Sequence, residues 1–324
     1  MKTSIVLSTY NGSDYIREQL VSLCEQSRRP DEVLIFDDGS TDNTISIVQE
    51  FIDQNKLTSW KLLKNNLNVG WKQNFIKGMD IASGDIIFPC DQDDVWHKDK
   101  VEIMAEVFEK KPEVFVLQGI PHKWFYDEKA TGIERKETFR YWIEKKLDKG
   151  EKILRCNNTK NISRVKFDVS FLRSFPGCVL AVRKTYFESI KHYWIPEIPH
   201  DLFLSIHSKL DKGYYRLDYE VIEWRKHIKS TTHDVPRSRS RRIEELEIDN
   251  IIIKYTKDQL FDRKLENTNY SRIIEGALNW CALRKSLVVN HKMISIFSLV
   301  KYRHYYVQFR RFFTDIRYGV MRDE

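Results

Sequence analysis

Short apolar runs alternate with segments of helical period over the first 118 residues, and this alternation constrains the fold of the chain more than any other feature. "SIVLS" (4–8) reads as a buried strand, and Ile16, Leu20 and Leu23 then recur at helical spacing, with Ser13 or Asp14 as the expected N-cap. "EVLIF" (32–36) is a second strand, followed by the turn "DDGSTDNT" and a helix to about Phe51. "WKLL" (60–63) is a third, and Trp71, Phe75 and Met79 mark one face of the next helix. "DIIFP" (85–89) and "VFVLQG" (114–119) are the fourth and fifth, with a helix over roughly 98–110 between them. Strands separated by helices pair in parallel through right-handed crossovers, so an α/β sheet covered on both faces is expected.

Beyond residue 119 the pattern loosens. Residues 120–170 are rich in Lys, Glu and aromatics and read as a substrate-side excursion. After "FPGCVLAVRK" (175–184) come a short helix, "PHDLFLSIHSK" (199–209), and strands near 214–224. From about Arg237 the chain turns helical to its end, which divides it into a domain over 1–236 and a helical C-terminal extension over 237–324. With 41% hydrophobic and 31% charged residues, the composition suits a soluble globular protein with ample core. Five widely spaced cysteines without a CxxC suggest neither a disulfide framework nor a zinc site, which favours a reducing, cytoplasmic setting. A first strand starting at Thr3 or Ser4 leaves no room for a signal peptide, and no run is apolar enough to span a membrane. The formal charge of +7 suits anionic ligands without selecting one.

Ligands of open α/β sheets sit at the carboxyl ends of strands. "STYNG" (8–12), "DDGSTD" (37–42) and "CDQDD" (90–94) all fall at such ends. In an extended segment residues i and i+2 point the same way, so Asp91 and Asp93 are expected to face one point, with Asp94 turned away or capping the next helix. Two carboxylates on one side suit Mg²⁺ or Mn²⁺, whose shell a substrate's phosphates complete. A polar turn closing a strand is the competing reading for each motif taken alone. No GxGxxG and no GxxxxGK[ST] occurs, which argues against a dinucleotide-dependent dehydrogenase and a P-loop enzyme.

Taken in order, "SIVLSTYNG", "VLIFDDGSTDNT", "NNLNVGWKQNFIKGMDIASGDIIFPCDQDDVW", "FPGCVLAVRK", "HDLFLS" and "WRKH" resemble the family 2 glycosyltransferases over about residues 3–230. The resemblance is greatest to bacterial members that build surface polysaccharides, rhamnosyltransferases among them. It implies a GT-A fold, a Rossmann-like, mostly parallel sheet flanked by helices. It also implies inverting, metal-dependent transfer of a sugar from a UDP- or dTDP-linked donor to a hydroxyl of a glycan, glycolipid or glycoprotein acceptor. By that resemblance Thr9, Tyr10, Asn11, Asp38, Asn74 and Asp91 hold the donor nucleotide. Asp93, with Asp91 and His227, holds Mn²⁺ or Mg²⁺. Gly177, Cys178, Arg225 and His227 line the sugar and diphosphate pocket, and Asp201 is the catalytic base. Read from the residues alone, Asp201 before "LFLSI" is equally a helix N-cap, His200 is a competing base, and His227 is a histidine in a basic stretch.

Residues 284–324 carry nine Lys/Arg against three Asp/Glu, mixed with aromatics. Such a tail suits an anionic membrane surface, here the inner face of the cell membrane, or self-association. An ordinary helix packing its aromatic face and solvating its arginines is the alternative. No nucleic-acid recognition motif is present. Two other function classes stay open: a sugar-nucleotide-forming nucleotidyltransferase, which needs a Gly-rich phosphate loop that "STYNGSDY" is not, and a non-catalytic adaptor of a glycosylation complex.

Overall fold

A computed structural model describes residues 1–126, 161–173, 175–227, 238–306 and 310–320, apart from the side chains of 123–126, 226 and 310. Most of the excursion expected over 120–170 and the boundary expected at 236/237 lie outside the described residues. The described residues gather into two compact units that do not divide the chain at one point. The first takes its residues from Met1–Val165, Phe175–Tyr193 and Gly213–Asp234, and the second from Lys166–Ser174, Trp194–Lys212 and Val235–Glu324.

The first unit is built on one sheet. Its strands are β1 (Thr3–Thr9), β2 (Glu32–Asp37), β3 (Trp60–Lys64), β4 (Ile86–Asp91), β5 (Val95–Trp96), β6 (Val116–Tyr126), β7 (Ile162–Arg164), β8 (Leu180–Arg183) and β9 (Tyr214–Lys226). Their order is β3-β2-β1-β4-β8-β6-β9-β5, with β7 against β9. The β3-β2-β1-β4 half is parallel throughout, as its βαβ spacing requires. β6 does not join that half directly. β8 comes between β4 and β6 and is antiparallel to both, so the fifth expected strand keeps its direction but not its neighbour. Ile5, Val6, Leu7, Val33, Ile35, Ile86 and Phe88 are all fully buried, as expected of strands covered on both faces.

Helices α1 (Ile16–Cys24), α2 (Thr44–Gln54), α3 (Trp71–Ile81), α4 (Lys100–Lys110) and α5 (Lys184–Ile190) accompany these strands. α1 is preceded by Tyr15, and neither Ser13 nor Asp14 caps it; the Ser13 N–H donates to Asp42 instead. α3 lies close on β1 and β2 because Gly78 carries no side chain. A Cβ there would stand 2.4 Å from Val6 Cγ1 and 3.0 Å from the Phe36 ring.

The second unit is helical: α6 (His200–Leu210), α7 (Arg239–Asp262), α8 (Asn269–Val288), α9 (Ser295–Lys301) and α10 (Arg310–Val320). Ser238 and Thr268 cap α7 and α8, accepting from the N–H groups of Arg241 and Tyr270. α6 is tied to α7 by a His207–Tyr255 hydrogen bond and by Arg263, which pairs with Asp211 at 2.7 Å. Two arginines of the helical extension are internal. Arg242 and Arg284 are buried and both bond Asp315, at 2.6 and 2.8 Å, and the Tyr306 hydroxyl donates to the same carboxylate. No helix among the described residues is long and apolar enough to cross a membrane. The expected GT-A architecture, a mostly parallel sheet flanked by helices with a helical C-terminal part, is the one observed.

Candidate active site

The acidic turn forms where β4 leaves the sheet. β1 and β4 are neighbours, with Ser8 beside Asp91, so the loop after β1 and the turn after β4 open at one sheet edge. β4 ends at Asp91, and the next residues turn before β5 begins. In a turn the two-residue alternation of a strand no longer fixes side-chain direction, and Asp94 joins Asp91 here. The ligand atoms of Asp91, Asp94 and Cys178 lie within 4.8 Å of one another. Asp93 meets His227, Oδ2 to Nε2 at 2.8 Å. Asp94 neither points away nor caps a helix; it is 1% exposed, and Asp99 is the residue preceding α4.

Asp94 is a strongly perturbed group of the turn. Its Oδ1 accepts from the Arg225 N–H at 3.1 Å, and its Oδ2 is buried without a hydrogen-bond partner among the described residues. Burial, then the charges of Asp93 and Asp91, hold this carboxyl well above the usual carboxylate range. Burial likewise pushes the Cys178 thiol up, with Asp94 and Asp91 adding to it. A cation close to this pair is Lys100, fully buried at the start of α4. Its ammonium donates to the Cys178 carbonyl oxygen and lies 3.3 Å from the centre of the Trp96 ring. Burial brings it down to about 8.

β9 delivers the other side of the turn. His227 is 5% exposed and stacks on Tyr15 with ring centroids 4.2 Å apart. Arg225 lies over the same ring at 4.9 Å and is ion-paired with Glu18. Gly177 and Cys178 form a buried helical turn just before β8, and of the two it is Cys178 that reaches the acidic cluster.

The expected nucleotide residues divide into two kinds. Tyr10 is 47% exposed, and its backbone is clamped by Gln92, which accepts from Tyr10 N–H at 2.9 Å and donates to Tyr10 O at 3.0 Å. Gly12 makes room for that clamp, since a Cβ there would stand 2.1 Å from Gln92 Oε1. Asn11 has φ 47°, and its side-chain oxygen accepts from the Thr41 N–H at 2.8 Å. The others are enclosed. Thr9 donates its hydroxyl to Asp37 at 3.0 Å. Asp38, 2% exposed, accepts from Asn65, Val69 N–H and Gly70 N–H, which fixes the loop leading into α3. Asn74 is fully buried, donates to Ser8 Oγ and Phe36 O, and accepts from Asn65.

Asp201 stands in the first turn of α6, in the second unit. The residue preceding that helix is Pro199, so Asp201 is inside it and not its N-cap; its Oδ1 accepts from the Leu202 N–H at 2.7 Å. A carboxylate there is favoured by the helix dipole. His200, the competing base, is buried, and burial pushes it down to about 3, so it is a neutral interior side chain.

Sequence reasoning missed Lys100, Gln92, Tyr15 and the true place of Asp94. One signal was available: Lys100 sits four residues before Met104 on the apolar face of α4, where a charge is out of place. The other three depend on contacts between residues up to 212 positions apart, Tyr15 with His227 being the longest.

Over 99 residues the chain is 40% identical to the dTDP-rhamnosyl transferase RfbG of Shigella flexneri, covering 30% of this chain and 34% of that one. Over 116 residues it is 34% identical to the uncharacterized glycosyltransferase MG060 of Mycoplasma genitalium, covering 34% and 38%. The chain therefore spans well under half the length of these curated relatives. Among solved structures, S. aureus TarS 1–349 in complex with UDP-GlcNAc superposes with a TM-score of 0.59 at 18% identity, covering 88% of this chain and 73% of that one. The mannosyltransferase PcManGT of Pyrobaculum calidifontis, in complex with GDP-Man and Mn²⁺, gives 0.53 at 14% identity, covering 98% and 85%. At these identities the likeness is one of fold. The family model described as Glycosyl transferase family 2 matches residues 4–168, about half of the chain, and the chain belongs to that family.

Proposed function

We propose that this chain transfers a sugar, with inversion, from a UDP- or dTDP-linked donor to a hydroxyl of a growing bacterial surface polysaccharide or glycoprotein glycan, in a metal-dependent reaction. The observation that carries this reading is the meeting of Asp93 and His227, 134 residues apart, at 2.8 Å beside the buried Asp94 carboxyl. The donor set fits Mn²⁺ or Mg²⁺: the Asp91 and Asp93 carboxylates, the unpartnered Asp94 Oδ2 and one imidazole nitrogen. When bound, the cation supplies Lewis-acid stabilisation of the charge that grows on the departing diphosphate.

The protein's own residues do the rest. Tyr10 and Asn11 offer a ring and an amide beside the nucleotide, with Thr9, Asp38 and Asn74 holding the strand ends that present them. Gly177 and Cys178 bound the sugar, and Arg225 and His227 the diphosphate. Asp201 takes the proton of the acceptor hydroxyl as its oxygen bonds the anomeric carbon and the bond from that carbon to the diphosphate breaks. General-base help of this kind contributes about 10²–10⁴-fold. The functional division we propose keeps the catalytic domain over 1–236 and the helical extension over 237–324. Peripheral contact with an anionic membrane belongs to the same reading, because Ile294, Phe297 and Val300 are exposed beside Lys292 and Lys301.

Asp201→Asn is expected to lose transfer and keep donor binding, whereas Asp93→Asn is expected to weaken Mn²⁺-dependent donor binding. A thermal-shift screen of UDP- and dTDP-sugars with Mn²⁺ identifies the donor, since a ligand of the native state raises its melting temperature. Full transfer by Asp201→Asn removes that residue from the base role. Undiminished transfer in chelator removes the metal.

A further inference from the structure

A second cluster of ligating side chains lies away from the acidic turn. β9 runs between β6 and β5, and Glu223 on β9 is beside His122 on β6 and Val95 on β5. His97 follows β5 by one residue and is anchored by its N–H to Val221 O at 3.0 Å. His97 Nε2 stands 3.1 Å and His122 Nδ1 2.9 Å from the same oxygen, Glu223 Oε1. The two rings meet edge to face, with centroids 5.9 Å apart.

The hydrogen bonding of His97 makes this more than three polar neighbours. Its Nδ1 lies 3.1 Å from the Glu220 carbonyl oxygen, which can only accept, so the proton of a neutral ring is on Nδ1. The Nε2 lone pair then faces the Glu223 carboxylate, acceptor against acceptor. A second proton on the ring resolves the conflict, and so does a metal cation held between them, which the aim of His122 Nδ1 at the same oxygen suits. An imidazole that donates one N–H to a carbonyl while its other nitrogen is aimed at a shared point is the arrangement in which histidines hold metals.

We propose that His97, His122 and Glu223 bind a zinc ion at a site separate from the acidic turn. Two imidazole nitrogens and one carboxylate suit Zn²⁺ better than the oxygen-seeking Mg²⁺ or Mn²⁺. Bonds of about 2.0–2.1 Å place tetrahedral ligands roughly 3.4 Å apart, a few tenths of an ångström beyond the present spacing. Glu220 Oε2, 3.6 Å from His122 Nδ1, or a water takes the fourth position. The ion would clasp the segments that build the acidic turn, since His97 is three residues after Asp94 and Glu223 two before Arg225. It does not depend on the chain's transfer activity.

The test uses the full chain carrying Asp91→Asn and Asp93→Asn, which removes competition from the acidic turn, stripped of metal and titrated with Zn²⁺ by calorimetry. One equivalent is expected. His122→Ala and Glu223→Gln, added separately, are each expected to weaken it by more than about 100-fold, beyond what outer-shell partners are worth. Co²⁺ is expected to give a tetrahedral absorption spectrum that His122→Ala abolishes. Circular dichroism without metal checks that each variant is folded, and a ligand variant that does not fold is replaced by His122→Gln. Absence of a zinc equivalent in the background protein, or an equivalent unchanged in both ligand variants, overturns the proposal and leaves the three residues as an ion-pair network.

Discussion

Asp94 in the first unit and Asp315 in the second are both buried aspartates, 1% and 0% exposed, and their surroundings treat them in opposite ways. Asp315 is fully compensated: two buried guanidiniums and a tyrosine hydroxyl converge on its oxygens. Asp94 has two acidic neighbours and one unpartnered oxygen, and burial with those charges raises its pKa well above the usual carboxylate range. A buried charge is tolerated when the fold supplies the countercharge. Where the fold withholds it, the group stays neutral or waits for a cation from outside. The comparison separates an aspartate that serves the architecture from one that, on the proposed function, belongs to a site.

The largest effect expected on breaking this contrast is at Asp315. Asp315→Ala takes the shared carboxylate from Arg242 and Arg284, leaving them Glu245 and Asp249, and is expected to cost about 3 kcal/mol, read from urea unfolding. A loss below about 1 kcal/mol would show that the cluster is not holding the helices. His200 comes next, as a second group that burial keeps neutral. Its folded pKa of about 3 lies below the ordinary histidine value, so the unfolded chain takes up a proton that the folded chain refuses. Stability is expected to fall as pH drops from about 6.5 towards 3, by up to about 1.4 kcal/mol per pH unit from this group. His200→Asn should flatten that limb of the curve.

Asp94 carries the opposite sign. Its folded pKa is raised, so its contribution is intact below the ordinary carboxylate range and is lost as pH rises through the raised value. Asp94→Asn, measured without metal, is expected to change stability by less than about 1 kcal/mol at acid pH and to remove that slope. A cost there as large as at Asp315 would mean that Asp94 is ionised and paired after all. The smallest effect expected is at the edge of the turn. Gln92→Ala removes two half-exposed hydrogen bonds to Tyr10 and should cost about 0.5–1.5 kcal/mol. Its sharper readout is donor binding, which should weaken as the loop after β1 loosens.

The parallel half of the sheet was legible because its strands are local, continuous apolar runs set between helical periods. The place of β8 was not, since nothing in "VLAVR" says that it will slip between β4 and β6 against both. At the site, the acidic turn and "WRKH" were legible as motifs, and their meeting through Asp93 and His227 is what the structure adds. The i+2 rule misassigned Asp94 because it holds only while the backbone stays extended, and here the strand ends at Asp91. Thr9, Asp38 and Asn74 were legible as polar residues at strand ends. That their hydrogen bonds are spent within the protein depends on Asp37, Asn65 and Ser8, and no local pattern encodes those partners.

Sequence by itself determined the periods, the strand ends at which polar residues collect, and the ordered motifs that place the chain in its family. These are properties of neighbours along the chain, where side-chain direction follows backbone geometry. Tertiary structure alone decided which carboxylates share a point, which are compensated and which are pushed towards the neutral form. Those outcomes turn on burial and on groups brought in from distant segments, such as Arg225 on β9, His227 just after it, and Lys100 on α4. Electrostatic energy depends on distance in space and on the surrounding dielectric, and neither is written in the order of residues.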